Sequence, residues 1–173
     1  MKKLSAFLVV SALAVWAFAD EATTKSATPT AKSAVVATLQ ASEAKITAPL
    51  VLKDSAIGQP EQTELPQSGK AIFTFKVEKA GTYIITAVVN AAGEDANSFY
   101  LNIDAAPEDP LMIWDIDVTT GFEERTVSWR GNGDANADEF APKKFTLTAG
   151  EHKLHLYGRE PAQLKSLSFR LTQ

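Results

Sequence analysis

Residues 70–78, Lys-Ala-Ile-Phe-Thr-Phe-Lys-Val-Glu, put Ala71, Phe73, Phe75 and Val77 on one parity and Lys70, Thr74, Lys76 and Glu78 on the other. A period of two sends alternate side chains to opposite faces of an extended chain. The stretch therefore predicts a strand with one face buried and one in water. The reading repeats outward from there. Residues 83–89 are apolar on both parities, as a central strand requires. Phe99, Leu101 and Ile103 alternate with Ser98, Tyr100 and Asn102. Phe145 with Leu147, Leu154 with Leu156, and Leu167, Phe169 and Leu171 predict three more strands. Turn signals separate them: Glu78-Lys79-Ala80-Gly81, Gly93-Glu94-Asp95, Ala105-Ala106-Pro107, Gly131-Asn132-Gly133 and Ala149-Gly150. No stretch after Ser33 keeps a helical period with caps for three turns. Many short strands at this spacing predict an all-β antiparallel sandwich, spanning residues 34–173 as a single domain.

The start of the chain has a different character. Lys2 and Lys3 precede an apolar run over residues 6–17, and Ala17-Phe18-Ala19 offers a small-x-small cleavage site before Asp20. This is the pattern of a secretory signal peptide over residues 1–19, too short for a spanning helix. It predicts export, to the periplasm or the medium, with no membrane span. Residues 20–33 hold Ala, Thr, Ser and Lys with one Pro and no aromatic residue, which predicts a flexible tether.

Composition narrows the function classes. The 173 residues include 9 Gly, 8 Pro and no Cys, with 22% charged and 45% hydrophobic residues, which excludes collagen-like and disulfide-stapled chains. The net charge of −4 argues against a nucleic-acid or anionic-membrane surface. Without cysteine there is no thiolate metal site, Fe–S cluster, cysteine nucleophile or lipidated N-terminal cysteine.

Two segments, Lys79-Ala80-Gly81-Thr82-Tyr83 and Thr148-Ala149-Gly150-Glu151-His152, each put an Ala-Gly turn before a strand. Leu39-Gln40-Ala41-Ser42-Glu43-Ala44 stands near the start of the domain and Gly158-Arg159-Glu160-Pro161-Ala162-Gln163-Leu164 near its end. Between them run residues 97–104, Asn-Ser-Phe-Tyr-Leu-Asn-Ile-Asp, followed by a tryptophan. In this order the motifs resemble the family 6 and family 35 carbohydrate-binding modules, over residues 36–171. The resemblance implies a jelly-roll sandwich that binds a polysaccharide or glycan and catalyses nothing. It departs at the structural calcium site of such modules. Ser42 stands where the pattern has Glu, and Lys165 where it has Asp. A lysine cannot ligate Ca²⁺. By parity with Leu167, Phe169 and Leu171, Lys165 is expected to point inward, where its ammonium replaces the ion and pairs with Glu43; the alternative is that it snorkels to solvent.

A sugar site needs an aromatic face for the C–H side of a pyranose and a few fixed polar groups for its hydroxyls. Trp114, between Pro110 and the Thr119-Thr120-Gly121 turn, matches a tryptophan of the family pattern and is the first choice for the platform. Trp129, at the end of a strand over residues 125–129, is expected at the rim. The alternative for either is a place in the core. Arg159 and Glu160 are expected as a polar pair beside the ring, or as a salt bridge to each other. Asn97 and Tyr100 are candidates for the same cleft.

Other constellations are weaker. Residues 134–139, Asp-Ala-Asn-Ala-Asp-Glu, begin like a calcium loop, but position six is Glu139 and position twelve Phe145, so an acidic solvated loop is expected. His152 and His155, three apart on a strand, point to opposite faces and do not chelate one zinc ion. Neither has a Gly-x-Ser-x-Gly elbow to serve. Asp115 and Asp117 share a face if extended, about 6–7 Å apart, near the spacing of an inverting carboxylate pair. Nothing else shapes a catalytic cleft. The expectation is an exported, non-enzymatic glycan binder without metal or cofactor. The competing class is a structural or assembly protein of the envelope or matrix, using the same sandwich to dock a protein partner or itself.

Overall fold

The computed structural model describes residues 34–131 and 140–172. The signal peptide, the tether and the loop over residues 134–139 lie outside the described residues.

Among the described residues twelve strands follow in chain order: β1 Val35–Gln40, β2 Lys45–Thr47, β3 Val51–Lys53, β4 Ala56–Gly58, β5 Lys70–Val77, β6 Gly81–Asn90, β7 Ser98–Ile103, β8 Ile113–Asp115, β9 Glu123–Thr126, β10 Phe145–Leu147, β11 Gly150–Gly158 and β12 Gln163–Leu171. Every pairing between them is antiparallel. They form two sheets, and the protein is a β-sandwich. In the first, β6 and β12 pair over most of their length. The β10 and β9 strands lie on the outer side of β6, while β1 and the β4–β3 hairpin share the outer side of β12. The second sheet runs β2-β5-β11-β7-β8.

The alternation at residues 70–78 produces what it predicts: Ala71, Phe73, Phe75 and Val77 are buried and Lys70, Thr74 and Lys76 exposed. Their partners on β11, Leu154 and Leu156, and on β7, Phe99, Leu101 and Ile103, line the same inner face. From the other sheet come Tyr83, Ile85, Ala87 and Val89 of β6 with Leu164, Leu167 and Phe169 of β12. Phe75 stacks on Phe169 with ring centroids 4.3 Å apart, so the two sheets touch through aromatic rings near the middle.

The last strand carries an irregularity that decides the fate of Lys165. Register shifts between Leu164 and Ser166, so a bulge at Lys165 separates two runs of opposite parity. Lys165 therefore does not share the inward face of Leu167. Its Nζ lies 3.8 Å from the centroid of the Phe122 ring. Glu43 turns back on its own segment, where its carboxylate accepts the Gln40 N–H in a capping box around the 3₁₀ turn Ala41–Glu43. The expected pairing of Lys165 with Glu43 is not made.

The short strands β2, β3, β4 and β8 went unread in the sequence. Three residues are too few for a period to declare itself, and tertiary pairing alone makes them extended.

Candidate functional site

Trp114 is not a platform. It sits on β8 opposite Phe99, and residues directly opposite in a ladder share a face, so the indole enters the sandwich. It is 0% exposed. Its Nε1–H donates to the Thr126 carbonyl of β9 at 3.1 Å, tying the edge of the second sheet to the edge of the first. Tyr100 takes the opposite face of its sheet. It faces outward from the second sheet, paired with Ile113 and Tyr157, and the three form a small cluster covered by Leu65. Burial, then the charges of Asp109 and Glu64, push its phenol upward against the pull of Arg159.

Trp129 lies beyond the end of β9. Its Nε1–H donates to the Leu101 carbonyl at 2.8 Å, on the margin of β7 past the reach of β8. The ring meets the edge of Phe145 at 5.7 Å and carries the Lys143 ammonium 3.9 Å from its centroid. Burial lowers the Lys143 pKa. The indole is thus a platform for the protein's own lysine.

The other three candidates converge. Asn97, Arg159 and Glu160 line one cleft of about 260 Å³ with Glu94, Asp115, Arg130 and Phe140. Its elements are the turn before β7, the turn between β11 and β12, the end of β8 and the segment after β9. Glu160 is 6% exposed and acts as the anchor. One carboxylate oxygen accepts from Arg159, and the other accepts the Asn97 N–H at 3.2 Å. Arg159 also donates to Ser98 Oγ at 2.7 Å. Across the cleft, Arg130 holds Asp115 through two parallel bonds, Nε to Oδ2 at 2.9 Å and Nη2 to Oδ1 at 2.8 Å. The Arg130 N–H in turn donates to the Ile113 carbonyl at 2.8 Å, so the guanidinium projects from a fixed backbone.

Sequence reasoning missed the aromatic residue here. Phe140 is 40% exposed and borders this cleft. It also borders a second one of about 230 Å³ that contains Asp115, Asp117, Glu124 and Arg125. The signal available was a lone aromatic outside any alternating run, between Glu139 and Ala141-Pro142. Asp115 and Asp117, read as a carboxylate pair, do border one cleft, but Asp115 is committed to Arg130. His152 and His155 point to opposite faces of β11, the first buried and the second half-buried.

A third cleft, about 380 Å³ and mostly apolar, lies at the β3 edge among Pro49, Val51, Ala56 and Pro60. Val51 is 51% and Leu52 43% exposed on that edge.

No protein-family model matches the chain, and no curated protein matches it by sequence. Solved structures do match it in shape. A carbohydrate-binding module of family 6 from Cellvibrio mixtus lichenase 5A, solved in complex with cellotriose, superposes with a TM-score of 0.53 at 16% identity, over 81% of this chain and 100% of that one. A family 35 module from Clostridium thermocellum gives 0.55 at 11% identity, over 79% and 98%. The fold is that of the family 6 and family 35 carbohydrate-binding modules. The same module fold occurs inside a Podospora anserina GH26-CBM35 β-(1,4)-mannanase, with a TM-score of 0.52 at 11% identity over 79% of this chain, which spans 28% of that protein's length. Among the described residues, no helix is long and apolar enough to cross a membrane.

Proposed function

We propose that the protein is an exported, non-catalytic glycan-binding module, and that the cleft between Asn97, Arg159, Glu160 and Arg130 receives the sugar, with Phe140 as its apolar face. The observation that carries this reading is the exposed Phe140 ring beside polar groups fixed by partners of their own. An aromatic face covers the C–H side of a pyranose, and oriented N–H and carboxylate groups meet its hydroxyls. The module fold, seen elsewhere with cellotriose bound, supports the ligand class. The bidentate hold of Arg130 on Asp115 supports binding over hydrolysis, since it occupies the carboxylate that an inverting pair would need. Export rests on the signal-peptide pattern of residues 1–19.

A glycan array probed with the chain from Asp20 tests the reading. Selective binding that disappears in Phe140→Ala and weakens in Arg130→Ala, with unchanged melting temperatures, is the expected result. Silence of the folded protein across plant, algal and host glycans would overturn it. One observation favours a second reading, in which the sandwich docks a second copy of itself as an assembly protein: Val51 and Leu52 are exposed on an open strand edge beside an apolar cleft. Sedimentation over a concentration series, with Leu52→Lys as control, separates it from the first.

A further inference from the structure

The charges around Phe140 are unequal in kind. Every guanidinium that borders its two clefts already has a carboxylate partner: Arg130 holds Asp115, Arg159 holds Glu160, and Arg125 reaches Glu123 at 2.8 Å. Two carboxylates are not matched in this way. Glu94 lies in the first cleft and Asp117 in the second, both exposed, and neither has an ion-pair partner among the described residues. The clefts share Phe140 and Asp115, so an uncommitted carboxylate stands in each of the two spaces that meet at the ring. The face of an aromatic ring is itself attractive to a cation.

An anionic ligand gains little from this arrangement. A uronate carboxylate would have to draw Arg130 or Arg159 from a bonded partner, leaving that partner's charge without its counterion, and Glu160 is almost wholly buried. A hydroxyl can donate one hydrogen bond to such a carboxylate but brings no charge to offset it. A protonated amine in either space adds its charge to the bond with the carboxylate there and is drawn to the ring face as well. Resting on the reading that this cleft binds glycans, we propose that it selects sugars carrying a free ammonium, of the 2-amino-2-deoxyhexose class, over their uncharged and uronate counterparts.

The test is calorimetric titration of the chain from Asp20 with three oligomers of matched length, β-1,4-linked glucosamine, its fully N-acetylated form and galacturonate, in mildly acidic buffer that keeps the amines protonated. The expected order is glucosamine first, about five- to tenfold tighter than the N-acetylated oligomer, with galacturonate weakest, the scale set by partly exposed ion pairs and a cation–π contact. Glu94→Gln with Asp117→Asn should bring the glucosamine affinity down to that of the N-acetylated oligomer, with the melting temperature unchanged. Equal or tighter binding of the uncharged or uronate oligomer would overturn the proposal; if that binding is lost in Phe140→Ala, the glycan cleft survives and only its charge selectivity falls. Binding of an oligolysine as tight as that of glucosamine would also overturn it, reducing the effect to polyelectrolyte attraction. No binding by any of the three oligomers would overturn the proposal and leave the glycan reading to the array.

Discussion

His152 Nδ1 stands 2.6 Å from Asp104 Oδ2, while Nε2 of the same ring is 2.9 Å from the Thr148 carbonyl. A carbonyl only accepts and an ionised carboxylate only accepts, so both ring nitrogens carry hydrogen and the imidazole is a cation. Burial opposes that charge, but the Thr148 carbonyl and the Asp104 carboxylate outweigh it and raise the His152 pKa. Burial likewise pushes Asp104 up, and the Lys153 N–H with the His152 ring prevail to lower it.

The pair fixes how stability depends on pH. A raised histidine contributes fully below its unfolded value of about 6.5 and loses the contribution as pH climbs through its folded value. A lowered aspartate contributes above about 3.9 and loses it as pH falls through its folded value. The contribution of this pair to melting temperature should therefore peak in mild acid and fade towards pH ~9, while His155, lowered by burial, slopes the other way, so the pair is read as the difference between wild type and a variant without it. Asp104 sits at φ 61°, a conformation that Asn tolerates, so Asp104→Asn removes the charge without new strain and should flatten both limbs. A difference between wild type and Asp104→Asn that does not shrink from mild acid into alkali would refute this assignment.

Trp114 behaves as a structural residue. Trp114→Ala should cost about 3–5 kcal/mol in urea denaturation. Trp114→Phe keeps most of the volume but leaves the Thr126 carbonyl without its donor, at about 1–3 kcal/mol. Any loss of ligand binding in these variants should track the unfolded fraction, whereas Phe140→Ala should lose binding with its denaturation curve in place.

The Arg159–Glu160 pair should show strong coupling. Glu160→Gln leaves the guanidinium without its counter-charge and weakens the hold on Asn97, costing roughly 3 kcal/mol. Arg159→Met together with Glu160→Gln should cost less than the two single changes added, which a double-mutant cycle of denaturation midpoints reads directly.

Two glycines separate crowding from backbone conformation. A Cβ at Gly69 would stand 2.2 Å from the Leu50 nitrogen and 2.9 Å from that of Pro49, both backbone atoms without freedom to retreat. Gly121 has φ +83° and open space around it. Gly69→Ala should therefore destabilise by about 3 kcal/mol or more and Gly121→Ala by about 1–2 kcal/mol, with thermal melts giving the order.

The long strands were legible because solvent and core write opposite residue types on alternate positions, as Phe73, Phe75 and Val77 show against Thr74 and Lys76. The meeting of Asn97 and Arg159-Glu160 in one cleft was legible, because polar residues cluster in turns. It was not legible at Trp114. Ile113, Trp114 and Ile116 are all apolar, so no local parity says which faces inward; the pairing with Phe99 decides it, and that pairing joins segments separated by a loop. Lys165 misled for a related reason. Its parity with Leu167 holds only if the strand is regular, and a bulge leaves no mark in composition.

Glu160 joins the turn between β11 and β12 to the turn before β7, through Arg159 on one oxygen and the Asn97 N–H on the other. That wall is consequently in place before a ligand arrives. If the proposed sugar binds there, the conformational freedom of these two turns has already been surrendered during folding. Calorimetry of a bound sugar should then show a favourable enthalpy with a small opposing entropy, and Glu160→Gln should enlarge the entropic opposition more than it changes the enthalpy.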